Sequence, residues 1–293
     1  MDRMSVADEQ ERERESAAPD RACPARSTER RSVWSAARSG LSHVRSMRRP
    51  RWWQEALFIG ISYFLYTLTR NSVPAHELLA MHRAVDVLNF EHALHIDIEH
   101  TVNTTVAGLT WVAVPADYYY ATLHFAITIG TLLWLYVRHP WRYRGVRTAL
   151  YVTNMVALLG FWLFPLAPPR MLPGFVDTVV HFHTWGSWGS GDVAAASNQF
   201  AAMPSLHIGW SLWCGVTLWR LAKPMWVRIA GLCYPAVTLL VIVGTANHFL
   251  LDAVGGVVAL SIGFAIQRLI FGRPAYTPVE RKRAYDAVPA GAS

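Results

Sequence analysis

Several windows of this chain, each about 20 residues long, carry almost no charge, and that is the length an α-helix needs to cross the hydrocarbon core of a bilayer. They fall at roughly 53–70, 118–137, 148–166, 206–222, 227–245 and 250–271. Within each, the apolar residues run continuously instead of alternating, so helices are expected and not barrel strands. In lipid every backbone N–H and C=O has to be paired within the protein, which leaves only those two spanning structures. The expected fold is therefore all-α, a polytopic six-helix membrane bundle. The 293 residues are 53% hydrophobic and only 16% charged, and the apolar ones are gathered into spans, so chain length counts spans and not soluble domains.

The charges between the runs predict the orientation. The segment before the first span ends in Arg48, Arg49 and Arg51; the link after the second carries Arg138, Arg142, Arg144 and Arg147; the link after the fourth carries Arg220, Lys223 and Arg228; the end carries Arg268, Arg273, Arg281, Lys282 and Arg283. With six spans all of these fall on one side. The positive-inside rule makes that side the cytoplasm, with both termini in it, and the remaining links face outward. The net charge of +7 then reads as topology information and contact with anionic lipid. Nucleic-acid binding is not expected, because no basic stripe with interleaved aromatics forms a folded face. The preference for Arg over Lys, which occurs only at Lys223 and Lys282, goes with GC-rich genomes, and a bacterial plasma membrane is the expected location.

Residues 1–51 mix Glu, Arg, Ser, Ala and Pro and are too polar to bury a core, so a disordered basic cytoplasmic tail is expected. No apolar stretch ahead of a small-residue cleavage site precedes the first span, which then acts as an uncleaved anchor. Residues 52–272 form the membrane domain and 273–293 a second cytoplasmic tail. Cys23 lies in the tail and Cys214 and Cys233 inside spans, a spacing that suits neither a disulfide framework nor a zinc site.

The first outer link contains HELLAMHRAVDVLNFEHALHIDIEHTV, in which Leu79, Val85, Leu88, Leu94, Ile98 and Val102 recur at helical spacing. That pattern predicts an amphipathic helix on the membrane surface or capping the bundle. Glu91, His92, His95, Asp97, Glu99 and His100 are metal-ligand types, but they are spread around the helix with no further ligand specified, so no metal is expected there. Val112 to Tyr120 either extends the second span or forms a separate interfacial piece.

Three segments carry candidate chemistry. In FPLAPPRMLPGF, Pro165, Pro168, Pro169 and Pro173 stop a helix and hold the chain extended around Arg170. An Arg at that depth is costly without a partner, so it either snorkels at the interface or is aimed at an anion. In FAAMPSLHIGW, Pro204 and Ser205 suit a helix start, whose free N–H groups and positive dipole end favour an anion. Ser205 adds a hydroxyl donor and His207 a proton for a departing oxygen. In GTANHFLLDAVGG, His248 and Asp252 are spaced i, i+4 on one helix face. An ionised Asp fixes the imidazole tautomer and leaves the other ring nitrogen to attack phosphorus. Gly255 and Gly256 allow close helix packing. Between the first two segments, TWGSWGSGD places Trp185 and Trp188 at headgroup level among glycines, as a lid over a headgroup site or a plain loop. Asn247, beside His248, joins them as a candidate substrate-loop residue. In the six-span topology Arg170, Ser205, His207, His248 and Asp252 all fall at the outward ends of their spans.

PSLH at 204–207 and HFLLD at 248–252 resemble the second and third motifs of the type-2 phosphatidic acid phosphatase superfamily, and LAPPR with PSLH resembles its inositol-phosphotransferase branch, the relatives of fungal inositol phosphorylceramide synthase. The resemblance covers about residues 55–271. It implies a phosphohistidine formed on His248, Asp252 orienting that ring, His207 protonating the leaving group, and no metal; Arg170 and Ser205 are the candidate phosphate-binding residues, and no other cofactor is expected. Leu163, Met171 and Ile242 stand where the superfamily carries a Lys, a Pro and an Arg. With two cations missing, a singly charged phosphodiester is the expected substrate, because a monoester with nearly two negative charges loses more. The expected activity is thus phosphoryl transfer on a lipid-linked phosphate, of inositol-phosphotransferase type. A phosphatase acting on phosphatidate or a polyprenyl phosphate is the enzymatic alternative. The non-enzymatic alternative, a proton-coupled transporter, would need inverted repeats and a midplane site. Partners are the lipid phosphate and membrane lipids, and no motif sets an oligomeric state.

Overall fold

The computed structural model describes residues 51–57, 59–61, 64, 77–184 and 199–278. Residues 1–50 and 279–293, most of the first expected span, and Trp185 and Trp188 lie outside the described residues. Three helices come first: α1 (Glu77–Ala93), α2 (Glu99–Ala107) and α3 (Thr110–Tyr118). α3 passes through a π-helical turn at Tyr119–Leu123 into α4 (His124–Arg138). There follow α5 (Pro140–Leu163), the single-turn α6 (Thr178–His181), α7 (Leu206–Leu221), α8 (Met225–Gly244) and α9 (Leu250–Phe271). Among the described residues no strand forms; one isolated bridge joins Leu166 and Ala201.

Four helical stretches are long and apolar enough to cross a membrane: Thr110–Arg138, Pro140–Leu163, Met225–Gly244 and Leu250–Phe271. The second expected span thus starts at Thr110 and absorbs Val112–Tyr120. The third starts at Pro140 instead of 148. Hydropathy excluded Arg142, Arg144 and Arg147, yet Arg is a good helix former, and proline at the first helical position has its φ already set. Arg147 also finds a buried partner, Glu55, at 3.1 Å, which accepts in addition from Tyr143 Oη at 3.1 Å. α7, at 16 residues, falls short of the length of a normal span.

Leu133, Leu159, Leu240, Val254 and Leu269 point outward, as side chains in contact with lipid do. Trp111 and Trp162 are exposed near one end of the bundle and Trp141 and Trp226 near the other, the disposition of interfacial aromatic belts. Because lipid removes the hydrophobic drive between helices, close backbone approach has to hold them. α5 lies along α9 and α7 along α8. At Gly263 a β-carbon would stand 2.6 Å from Ala149 O, and Gly215 similarly faces Gly231. Between the pairs, Leu135, Val146, Trp213, Tyr234 and Leu260 form a core, with Trp213 Nε1 donating to Val146 O at 2.9 Å.

At the basic end Arg142 Nε donates to Tyr276 O at 2.9 Å and the Arg220 guanidinium lies 5.8 Å from the Tyr276 ring. Arginines from two separate links therefore converge on the segment that follows α9. At the opposite end lies α1, within the stretch expected to form an amphipathic helix. Its buried face is Ala80, Ala84, Val87 and Glu91, while Leu79, Val85, Leu94 and Ile98 are exposed. The small residues win the inward face because they let α1 sit close against Leu166, Ala167, Leu172 and Phe249.

Candidate active site

The turn between α8 and α9 places the central histidine. Ile242 O accepts from both Asn247 N (2.9 Å) and His248 N (3.2 Å), which folds the chain back sharply. Ala246 takes φ 51°, a left-handed conformation that costs a non-glycine residue on the order of 1 kcal/mol and is common at functional sites. His248 Nδ1 meets Asp252 Oδ2 at 3.2 Å, and the same oxygen accepts from Phe249 N at 2.9 Å. Both side chains are buried. The carboxylate is thus pinned at the first turn of its own helix, and with Nδ1–H donated to it the ring carries its lone pair on Nε2.

That nitrogen does not face open space. His207 Nδ1, from the first turn of α7, lies 3.3 Å from His248 Nε2, with the ring planes at 62°. His207 stacks on Tyr120 at 4.4 Å and packs on His124 at 4.3 Å. Asp252, His248 and His207 form a line of contacts that ends against those two rings. Ser205 ties α7 to α9 through its amide, which donates to Asp252 O at 2.9 Å. Its Oγ is fully buried and finds no partner in the protein among the described residues.

Arg170 sits in a 3₁₀ turn, Pro169–Met171, and its amide donates to Ala246 O at 2.8 Å. Its guanidinium donates from Nη1 to Asn247 Oδ1, and its Nε stands 3.5 Å from Asp177 Oδ2. Asn247 in turn donates from Nδ2 to Thr245 Oγ1 at 2.7 Å. Arg170 is therefore fixed next to the His248 turn. Of the residues that depart from the superfamily's motifs, Ile242 is buried among Ile208, Val243 and Ala253, Met171 packs beside Leu172, and Leu163 is exposed.

Five residues near this site were not singled out by sequence reasoning as part of it. Tyr120 lies in the π-helical turn and His124 directly follows it, and such turns recur at functional sites. A histidine inside an apolar span was the signal that could have found His124. Asp177 has no local signature, since its partner is distant in sequence. Glu91 and Glu99 were read as acids spread around a helix with no site to serve, and both are fully buried. Glu99 Oε1 accepts from Leu250 N at 2.9 Å and Glu91 Oε1 from Leu251 N at 2.7 Å, at the positive end of α9. Of the same polar group, His92 and Asp97 form an exposed pair at 2.7 Å. Among the described residues no three His, Cys, Asp or Glu are grouped to hold a metal ion.

A close approach maintains the line. A β-carbon on Gly256 would run into Ser205 O and stand 3.2 Å from Ile208 Cβ. Gly256→Ala should therefore force α7 and α9 apart and cost about 1–3 kcal/mol, read as a lower thermal midpoint in detergent.

An all-helical chain with membrane-length helices, bringing two histidines and an aspartate into contact at one end of the bundle, defines the class. The family model described as PAP2 superfamily matches residues 85–266, more than half of the chain, and the chain belongs to that superfamily, whose members are phosphatases. No curated protein and no solved structure matches the chain.

Proposed function

We propose that the protein is a membrane-embedded enzyme that transfers a phosphoryl group from a lipid-linked phosphate through a phosphohistidine on His248. The observation that carries this reading is the Asp252–His248–His207 line, at 3.2 and 3.3 Å, in a chain of this superfamily. The phosphoryl group enters between the two rings. The Nε2 lone pair of His248 forms the N–P bond while the P–O bond to the leaving group breaks, and the departing oxygen takes a proton from His207. An acceptor hydroxyl then gives its proton to His207 and attacks phosphorus, the N–P bond breaks, and His248 recovers its lone pair. Asp252 keeps Nδ1–H in place throughout. Arg170 and the free Ser205 hydroxyl stabilise charge on the equatorial oxygens.

The acceptor is an alcohol, as in an inositol-phosphotransferase-type reaction, and the donor is a phosphodiester. Arg170 already shares its charge with Asp177, and Ile242 fills a cation's place with an apolar side chain. The positive charge left for substrate suits one negative charge better than two. Six spans, both termini in the cytoplasm and a site on the extracytoplasmic face complete the proposal, supported by the arginines gathered at the end opposite His248.

The test is turnover by detergent-purified protein on phosphatidylinositol, phosphatidate and a polyprenyl phosphate, with and without alcohol acceptors, beside His248→Ala. Transfer from the diester should exceed phosphate release from the monoesters by at least roughly tenfold in kcat/KM, a difference of about 1.4 kcal/mol. Equal or faster hydrolysis of phosphatidate removes the diester assignment and leaves a phosphatase. Arg170→Ala should cost on the order of 10²–10³ in kcat/KM on the preferred substrate.

A further inference from the structure

Glu91 on α1 and Glu99 on α2 have no part in the chemistry above, yet both are fully buried in the outer layer over the active end. Each uses one oxygen to hold an amide of the first turn of α9, Leu251 and Leu250 respectively. Their second oxygens, Glu91 Oε2 and Glu99 Oε2, are buried with no protein donor among the described residues, and because the first oxygens hold adjacent amides of one turn, the two carboxyls are neighbours. Two adjacent buried acceptors without a donor are costly, and a single proton between them satisfies both.

We propose that Glu91 and Glu99 share one proton and, joined by it, act as positioning residues, clamping the first turn of α9 and so fixing where His248 and Asp252 stand. The proposal rests on the phosphoryl-transfer reading for what the clamp serves, though not for the clamp itself. His248 lies just before Leu250 and Leu251 in sequence and Asp252 just after, so loosening those two amides moves the nucleophile and its orienting acid together.

Burial, opposed by the Leu251 amide and reinforced by Glu99 and Asp252, pushes Glu91 up from 4.5 to about 8. The groups bearing on it, Glu99 from α2 and Asp252 from α9, are both acids, with His248 beyond Asp252. The folded chain therefore keeps a proton that the unfolded chain has released, and it loses stability as pH rises from 4.5 through about 8. Past that point two neighbouring buried carboxylates repel beneath the catalytic turn.

The test compares wild type, Glu91→Gln, Glu91→Ala and the exposed control His92→Ala, for kcat and KM on the best lipid substrate from neutral pH to well above about 8. Wild-type kcat should fall on the alkaline side with KM little changed, and His92→Ala should follow it. Glu91→Gln, whose amide imitates the protonated carboxyl, should hold neutral kcat within a few-fold and lose the alkaline fall. Glu91→Ala leaves the Leu251 amide unpaired and should lower kcat by roughly tenfold or more at every pH. The thermal midpoint gives a second readout that needs no turnover: wild type should fall relative to Glu91→Gln as pH is raised toward about 8. A midpoint difference that does not move with pH, or an alkaline fall identical in wild type and Glu91→Gln, overturns the proposal. A moving midpoint in a protein that turns over no lipid phosphate upholds the clamp and removes the enzymatic reading alone.

Discussion

His248→Ala is expected to lower phosphoryl transfer on the order of 10⁴-fold or more, because the side chain that forms the bond to phosphorus is gone and the remaining groups only bind and polarise. The residue is buried but its loss leaves Asp252 still accepting from Phe249 N at 2.9 Å, so the turn should survive. Two measurements separate loss of chemistry from loss of fold. One is steady-state turnover beside the thermal midpoint; the other is trapping of labelled phosphate on the protein. Wild type should give an acid-labile, alkali-stable phosphoprotein, and the variant none. A variant that keeps even a hundredth of wild-type turnover would remove His248 as nucleophile.

Asp252→Asn should cost about 10³–10⁴ in kcat while barely altering the structure. Oδ2 alone receives both Phe249 N and His248 Nδ1, so an asparagine oxygen in its place can hold both, but without the charge that keeps the Nε2 lone pair basic and steadies the ring as the N–P bond forms. Lipid binding should change little, so the loss falls on kcat and not on KM. A variant within tenfold of wild type would mean that the charge on Asp252 is not needed for attack by His248.

The sequence disclosed those elements whose signal is local. The apolar runs of α4, α5, α8 and α9 stand out because lipid punishes charge within them, and His248 with Asp252 share one helix face by spacing alone. Ser205 was legible as a helix start, and Arg170 as a residue confined by Pro168 and Pro169. What stayed hidden depends on distant pairs. Asp177 meets Arg170, and Asn247, read as a substrate-loop residue, turns out to hold the same guanidinium. The inward face of α1 could not be assigned from hydropathy, which ranks Leu79 and Val85 above Ala80 and Ala84, whereas close approach in lipid favours the small side chains. Glu91 and Glu99 looked like acids with no site to serve because nothing in their neighbourhood announces two amides at the start of a helix some 150 residues away.

α7 contains 16 residues, and at about 1.5 Å of rise each it measures roughly 24 Å, against a hydrocarbon core of roughly 30 Å. Its start is level with that of α9, since Ser205 N donates to Asp252 O in the first turn there, so the shortfall falls at the other end, where Arg220 marks the last turn and the basic side of the bundle is drawn inward.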